Sequence, residues 1–179
     1  ELFVNYDVLD PRPETELIIE EVLNNVEDKN KELTILDIGT GSGCLAISLA
    51  KELKYSKVLA IDISKKAISV AKKNIEINNL DKRITTEVKE FTDIENKFDI
   101  IVSNPPYLSE RDFAKSQEEI LKFEPKIAFL GGKDGLKFYE LFAQKIDKIM
   151  KKNSFFVCEI GNNQLDSCMT IFQNSKLIL

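Results

Sequence analysis

The chain has 179 residues, 43% hydrophobic and 31% charged, a balance that fits one globular domain with a sizeable core. Its formal net charge of -5 weighs against a substrate held mainly through nucleic-acid phosphates, so direct nucleic-acid binding is not expected. There is no histidine, which removes the commonest general base and the usual zinc and non-haem iron ligands, and no metal is expected.

The elements alternate along the chain. "ELFVNYDV" (1–8) reads as a strand or hairpin arm, and "PETELIIEEVLNNV" (13–26) as a helix with Pro13 in its first turn. "LTILDIG" (33–39) is a short apolar run ending in glycine, a buried strand, and "CLAISLAKEL" (44–53) has helical spacing. "KVLAIDI" (57–63) is a second strand. "SKKAISVAKKNIEINNL" (64–80) is an amphipathic helix, with Ser64 as N-cap and Asn78-Asn79 near its end. "RITTEV" (83–88) and "FDIIVSN" (98–104) are the third and fourth strands. "GLKFYELFAQKIDKIMKK" (135–152) reads as one long helix and "SFFVCEIG" (154–161) as a fifth strand. "NQLDSCMTIFQ" (163–173) is helical, and "KLIL" (176–179) begins another strand. This alternation predicts an α/β fold, Rossmann-like, with a mostly parallel central sheet and helices on both faces. Residues 1–30 are expected to lead into a domain over 31–179. The start at Glu1 and the stop inside "KLIL" suggest a piece cut at both ends. The three cysteines, Cys44, Cys158 and Cys168, have no metal-ligand spacing, and their odd number with no visible signal segment fits the cytoplasm. No apolar run approaches the roughly 18 residues of a membrane span.

Ligands of such sheets bind outside the carboxyl ends of the strands. "DIGTGSG" (37–43) stands at the first of these ends, and Gly39, Gly41 and Gly43 remove side chains where a ligand approaches the backbone. The spacing is not that of a dinucleotide site. Asp62, at the end of the next strand, has the position from which an acid accepts hydrogen bonds from ribose hydroxyls. Asp37 and Asp62 together suit a ligand with an ammonium group and a ribose but no phosphates, namely S-adenosylmethionine. A glycine-rich turn without a ligand is the plain alternative. Phe91 either stacks on the adenine or caps the core, and Glu90 is a weaker candidate for the adenine amino group.

"NPPY" (104–107) ends the fourth strand. An amide or aromatic-amine nitrogen is a poor nucleophile because its lone pair is delocalised. Two acceptors aimed at its two N–H groups would hold it and favour the geometry in which the lone pair meets a sulfonium methyl. The Asn104 side-chain carbonyl and the Pro105 backbone carbonyl are such acceptors. Pro105 and Pro106 restrict the backbone in advance, and Tyr107 packs on the planar face of the group. No strong base is needed. An ordinary proline turn is the bland alternative.

In this order the motifs resemble the class I S-adenosylmethionine-dependent methyltransferases, amino-group branch. "VLDPRPETE" (8–16), "FEPKIAFLGGKDGLKFYELF" (123–142) and "FFVCEIGNNQ" (155–164) resemble segments of the release factor glutamine methyltransferases, the PrmC/HemK family, over nearly the whole chain. Asp10 departs from the family, which has an apolar residue there. The resemblance implies a class I methyltransferase fold and methyl transfer from S-adenosylmethionine, leaving S-adenosylhomocysteine, to the glutamine of a release factor's Gly-Gly-Gln motif. It implies cofactor contacts from Gly39, Thr40, Gly41, Ser42, Gly43, Asp62, Phe91 and Asn104, and substrate contacts from Asn104, Pro105, Pro106 and Tyr107. Arg12 is expected to pair with Glu159 or another acid at the pocket wall, or else to form a helix-entry salt bridge. Glu159 is read as a structural acid at a strand end. A nucleic-acid exocyclic amine methyltransferase, which shares N-P-P-Y, and a non-catalytic cofactor-binding scaffold remain as alternatives.

Overall fold

A computed structural model describes residues 1–115, 124–173, 175 and 177. Five strands, β1 (Thr34–Ile38), β2 (Lys57–Asp62), β3 (Ile84–Val88), β4 (Phe98–Ser103) and β5 (Met150–Cys158), form one parallel sheet in the order β3-β2-β1-β4-β5. The helices are α1 (Thr15–Asn25), α2 (Cys44–Glu52), α3 (Lys65–Ile77), the single turn α4 (Glu110–Phe113), α5 (Lys137–Lys145) and α6 (Leu165–Gln173).

A parallel sheet is covered on both faces, so its strands carry apolar residues on both sides. Ile35, Val58, Ile100 and Val102 pack with Ile18 and Val22 of α1 and Leu45 and Leu49 of α2. Leu36, Ile61 and Ile101 pack on the opposite face with Tyr139 and Phe142 of α5 and Phe172 of α6. The architecture expected from the alternating pattern is the one the chain adopts. Strand order reverses at β1, which has β2 on one side and β4 on the other. That reversal opens a crevice at the carboxyl ends of the strands. The loops after β1, β2 and β4 all lead into it.

Ser64 caps α3 as expected, its Oγ accepting from Ala67 N at 3.2 Å, and Asn79 ends the helix region with φ 57°. Two expectations are corrected. Residues 1–8 form no strand. Instead the buried Asn74 amide stands in for a neighbouring strand: Phe3 N donates to its Oδ1 at 2.7 Å, and its Nδ2 donates to Phe3 O at 2.8 Å. The helix expected over 135–152 stops at Lys145. A 3-10 turn follows over Ile146–Ile149, and β5 already begins at Met150. The apolar spacing misled here because Ile146 and Ile149 are buried on the same face whether the turn is α or 3-10. β5 then bulges: Met150 pairs with Phe98 but Phe155 with Ile100, and Asn153 takes φ 60° between them. Of the "KLIL" strand, residues 176, 178 and 179 lie outside the described residues, as does Phe123.

Candidate active site

Two carboxylates shape the loop after β1. Asp37 is 1% exposed, and its Oδ2 accepts from Thr40 Oγ1 at 2.6 Å and from Ala46 N at 3.2 Å, which ties the loop to the first turn of α2. Asp62 Oδ2 accepts from Gly41 N at 3.1 Å, and its Oδ1 accepts from Ser64 N at 2.9 Å. Gly39 N and Thr40 N both donate to Ile61 O at 2.9 Å. This path needs φ 72° at Gly39 and 54° at Gly41, the left-handed region. A Cβ added to Gly39 would meet nothing within 4 Å, so that backbone borders open space.

The open space is a cavity lined by Gly39, Thr40, Gly41, Ser42 and Asp62, with Glu90 and Phe91 on the β3 side and Asn104 and Pro106 on the β4 side. Gly43 is not in its wall. A Cβ there would lie 3.4 Å from Ala71 Cβ, so this glycine packs α2 against α3. Phe91 lines the cavity and is also buried in the core, edge-to-face on Phe142 with ring centroids 5.1 Å apart. The expectation that Asp37 faces a ligand is corrected. Alternation along β1 turns it beneath the loop, on the side of Ile35 and α2. Burial pushes its carboxyl up to about 7, with Asp62 adding to the rise, and its Oδ1 is buried without a hydrogen-bond partner. Asp62 is raised as well, mainly by burial and against its backbone hydrogen bonds.

At the end of β4, Ser103 Oγ donates to Ile38 O at 2.9 Å and closes that strand on β1. Asn104 Nδ2 then donates to Thr15 Oγ1 at 3.2 Å. Among the described residues, none donates a hydrogen bond to Asn104 Oδ1 or to the Pro105 carbonyl. Pro105 itself is buried. Tyr107 borders a second cleft, with Arg12, Glu14 and Glu159. Its hydroxyl donates to Glu159 Oε1 at 3.0 Å. Burial, then the Glu159 charge, push that hydroxyl up to about 12, which keeps it a donor rather than a base. Burial raises the Glu159 carboxyl too, although the Tyr107 hydrogen bond opposes the rise.

Arg12 pairs with Glu124, not Glu159, at 2.6 Å, and Asp10 N donates to the other oxygen of Glu124 at 3.2 Å. Three residues that hold the site carry no signal that the sequence alone assigns to it. Thr15 and Gln164 lie inside the family-like segments, but nothing local gives them a partner. Asn74 donates to Ser42 O at 2.8 Å and so steadies the glycine loop from α3. A polar residue within the buried stripe of an amphipathic helix was the available signal.

The methyltransferase small domain model matches residues 9–132. The chain is 38% identical, over 98% of its length, to the release factor glutamine methyltransferase of Clostridium acetobutylicum, and covers 62% of that protein. It is 43% identical, over 92% of its length, to the protein of the same name from Bacillus subtilis, and covers 59% of it. It therefore spans less than two thirds of these curated relatives. Among solved structures, a ribosomal protein L11 methylase from Lactobacillus delbrueckii subsp. bulgaricus is similar with TM-score 0.63 and 25% identity, over 88% of this chain and 65% of that one. The hMettl16 catalytic domain, solved in complex with MAT2A 3'UTR hairpin 6, shares the fold with TM-score 0.68 and 21% identity, over 95% of this chain and 66% of that one.

Proposed function

The chain belongs to the methyltransferase small domain family, and we propose that it transfers a methyl group from S-adenosylmethionine to the side-chain amide nitrogen of the glutamine in the Gly-Gly-Gln motif of peptide chain release factors. The names of its relatives support the substrate. The cavity supports the cofactor, because the backbone at Gly39 borders open space and the Asp62 carboxylate stands beside it. Gly39, Thr40, Gly41 and Ser42 would hold the cofactor, Gly43 shapes the loop, Asp62 takes the ribose hydroxyls, and Phe91 walls the adenine. When bound, the cofactor supplies an electrophilic methyl group on a sulfonium.

The chain's own work is to aim the nucleophile. Asn104 Oδ1 and the Pro105 carbonyl accept the two N–H groups of the substrate amide, and this turns its lone pair toward the methyl group. Pro106 fixes the backbone that carries both acceptors, and Tyr107 packs on the amide plane from the side of the second cleft. The proton shed by the methylated nitrogen passes to water. Tyr107 does not take it, since its hydroxyl is already protonated and bound to Glu159. On this reading residues 31–179 are the methyltransferase domain, reached through residues 1–30, and the enzyme acts in the cytoplasm.

One observation carries the proposal. Asn104 lines the cavity that the glycine loop also lines, and with its Nδ2 donating to Thr15 its oxygen is the end left for a donor. Mass spectrometry of a release factor incubated with the protein and S-adenosylmethionine tests it. A single added methyl on the Gly-Gly-Gln glutamine is expected. A release factor left unmodified, or methylated elsewhere, sinks the proposal.

A further inference from the structure

Gln164 has no part in the reaction described above, yet its side chain is hydrogen-bonded on every side. Its Nε2 donates to Tyr107 O at 3.0 Å and to Gly135 O at 3.4 Å. Its Oε1 accepts from Gly161 N at 2.9 Å and lies 3.4 Å from the Tyr139 hydroxyl, whose single proton is nearer Glu159 O at 3.2 Å. A primary amide has two donors and one oxygen with two lone pairs, so both of its ends are engaged here. Three glycines let the backbone come this close. A Cβ on Gly161 would lie 2.6 Å from Gln164 Oε1, and one on Gly131 2.6 Å from Pro106 O. One on Gly135 would run into Tyr107 O. The main chain extends the same clamp, with Leu108 N donating to Phe129 O at 2.8 Å and Gly131 N to Leu108 O at 2.9 Å.

We propose that Gln164 is a positioning residue for methyl transfer: its amide anchors the Tyr107 carbonyl and thereby fixes the aim of Asn104 and Pro105. This rests on the reading of those two residues as the substrate's acceptors. The need for such an anchor follows from the turn's own chemistry. Pro105 and Pro106 have no N–H to give, and the oxygens of Asn104 and Pro105 must stay unbonded until substrate arrives. The turn cannot brace itself with the groups it reserves, so its brace comes from the carbonyl that follows. Only an amide fits, because glutamate would set an oxygen against two carbonyl oxygens, and an apolar side chain would take their side-chain partner from the Tyr107 and Gly135 carbonyls and from Gly161 N.

The test uses the full chain with Gln164→Met and Gln164→Glu. In the Met variant, hydrogen exchange of the Leu108 and Gly131 amides should run roughly 5- to 10-fold faster, while amides of Gly39–Gly43 stay at wild-type rates. Unchanged exchange at Leu108 and Gly131, or equal acceleration in the glycine loop, overturns the proposal. That measurement needs no substrate, so it can fail while the release factor assay succeeds, and the reverse. With a release factor, kcat should fall about 10- to 100-fold in the Met variant while the cofactor KM stays within about 2-fold. Relative to the parent chain, Gln164→Glu should regain activity as pH falls from 7 to 5, toward the range in which a carboxyl regains a proton to donate, and Gln164→Met should not. A kcat unaffected by Gln164→Met, or a cofactor KM that rises with the loss of kcat, also overturns it.

Discussion

The glycine loop after β1 and the N-P-P-Y turn after β4 border one cavity, yet opposite chemistry holds them. Carboxylates pin the loop: Asp37 through Thr40 and Ala46, and Asp62 through Gly41 and Ser64. Neutral groups pin the turn, namely the Thr15 hydroxyl, the Gln164 amide and the backbone of residues 129–135. Of the carboxylates that share the second cleft with Tyr107, Glu159 is engaged with its hydroxyl. On the proposed reading the loop serves the cofactor, with the Asp62 carboxylate beside the cavity and Asp37 as an anchor beneath the loop. On the same reading the turn offers its oxygens to a neutral amide, and a free carboxylate there would compete for the same N–H groups. The contrast is therefore between a binding half anchored by carboxylates and an aiming half anchored by neutral groups.

The largest effect should come from removing an aiming oxygen. Asn104→Ala should lower turnover on the order of 10²–10³, by analogy with loss of one preorganised donor at an oxyanion site, and leave cofactor affinity within a few-fold. Labelled methyl transfer and cofactor titration check both numbers. If affinity and turnover fell together, Asn104 would belong to the binding half and the contrast would break.

Glycine-to-alanine changes sharpen it next. Gly135 has φ 83° and no room for a Cβ against Tyr107 O, so Gly135→Ala should cost about 3 kcal/mol of stability and misplace the turn. Gly39→Ala carries similar strain at φ 72° but meets no protein atom. It should cost only about 1–2 kcal/mol of stability and weaken cofactor binding instead. Denaturant midpoints and cofactor titrations on the two variants separate these outcomes.

Asp37 tests how the binding half is anchored. Between its ordinary value of 3.8 and the raised value of about 7, the carboxyl is protonated in the folded chain and ionised in the unfolded one. The folded state then binds more protons, so stability falls as pH rises through this window and levels off above it. Asp37→Asn should remove up to about 1.4 kcal/mol per pH unit of that slope. Urea denaturation at pH 5, 6 and 7 measures it. A residual slope of the same sign is expected from Asp62 and Glu159, both raised mainly by burial. Equal slopes in the variant and the parent chain would show that Asp37 stays ionised when folded.

The two halves also differ in how far the sequence reveals them. Thr34 to Asp62 is a single strand-helix-strand unit, so glycine spacing and the following acid point directly to the loop and to the position of Asp62. Asp37 is harder to place because one residue of strand parity decides whether a side chain meets the cavity or the layer beneath. The turn is legible as a motif, but its supports come from residues 89 and 57 positions away in sequence. No periodicity connects Thr15 or Gln164 to it. Arg12 escapes for the same reason: the sequence offers Glu159 or some other acid, and only the fold brings Glu124 to it. Residues 146–150 are ambiguous because buried isoleucines three apart fit a helix and a 3-10 turn equally well.

The smallest effect is the one that tests the boundary between the halves. Thr15 lines the cavity and also accepts from Asn104 Nδ2, at a distance of 3.2 Å that is long for a strong bond. Losing it is worth about 1 kcal/mol, so Thr15→Val should reduce kcat by roughly 5-fold. Thr15→Ser keeps the oxygen and should restore it. If Thr15 acts through Asn104, kcat falls while the cofactor KM and the denaturation midpoint hold, because the amide is then free to turn its NH₂ end toward a substrate that needs an acceptor. If KM rises at constant kcat, the Thr15 hydroxyl serves the cofactor, and the hydrogen bond to Asn104 has no part in aiming the amide.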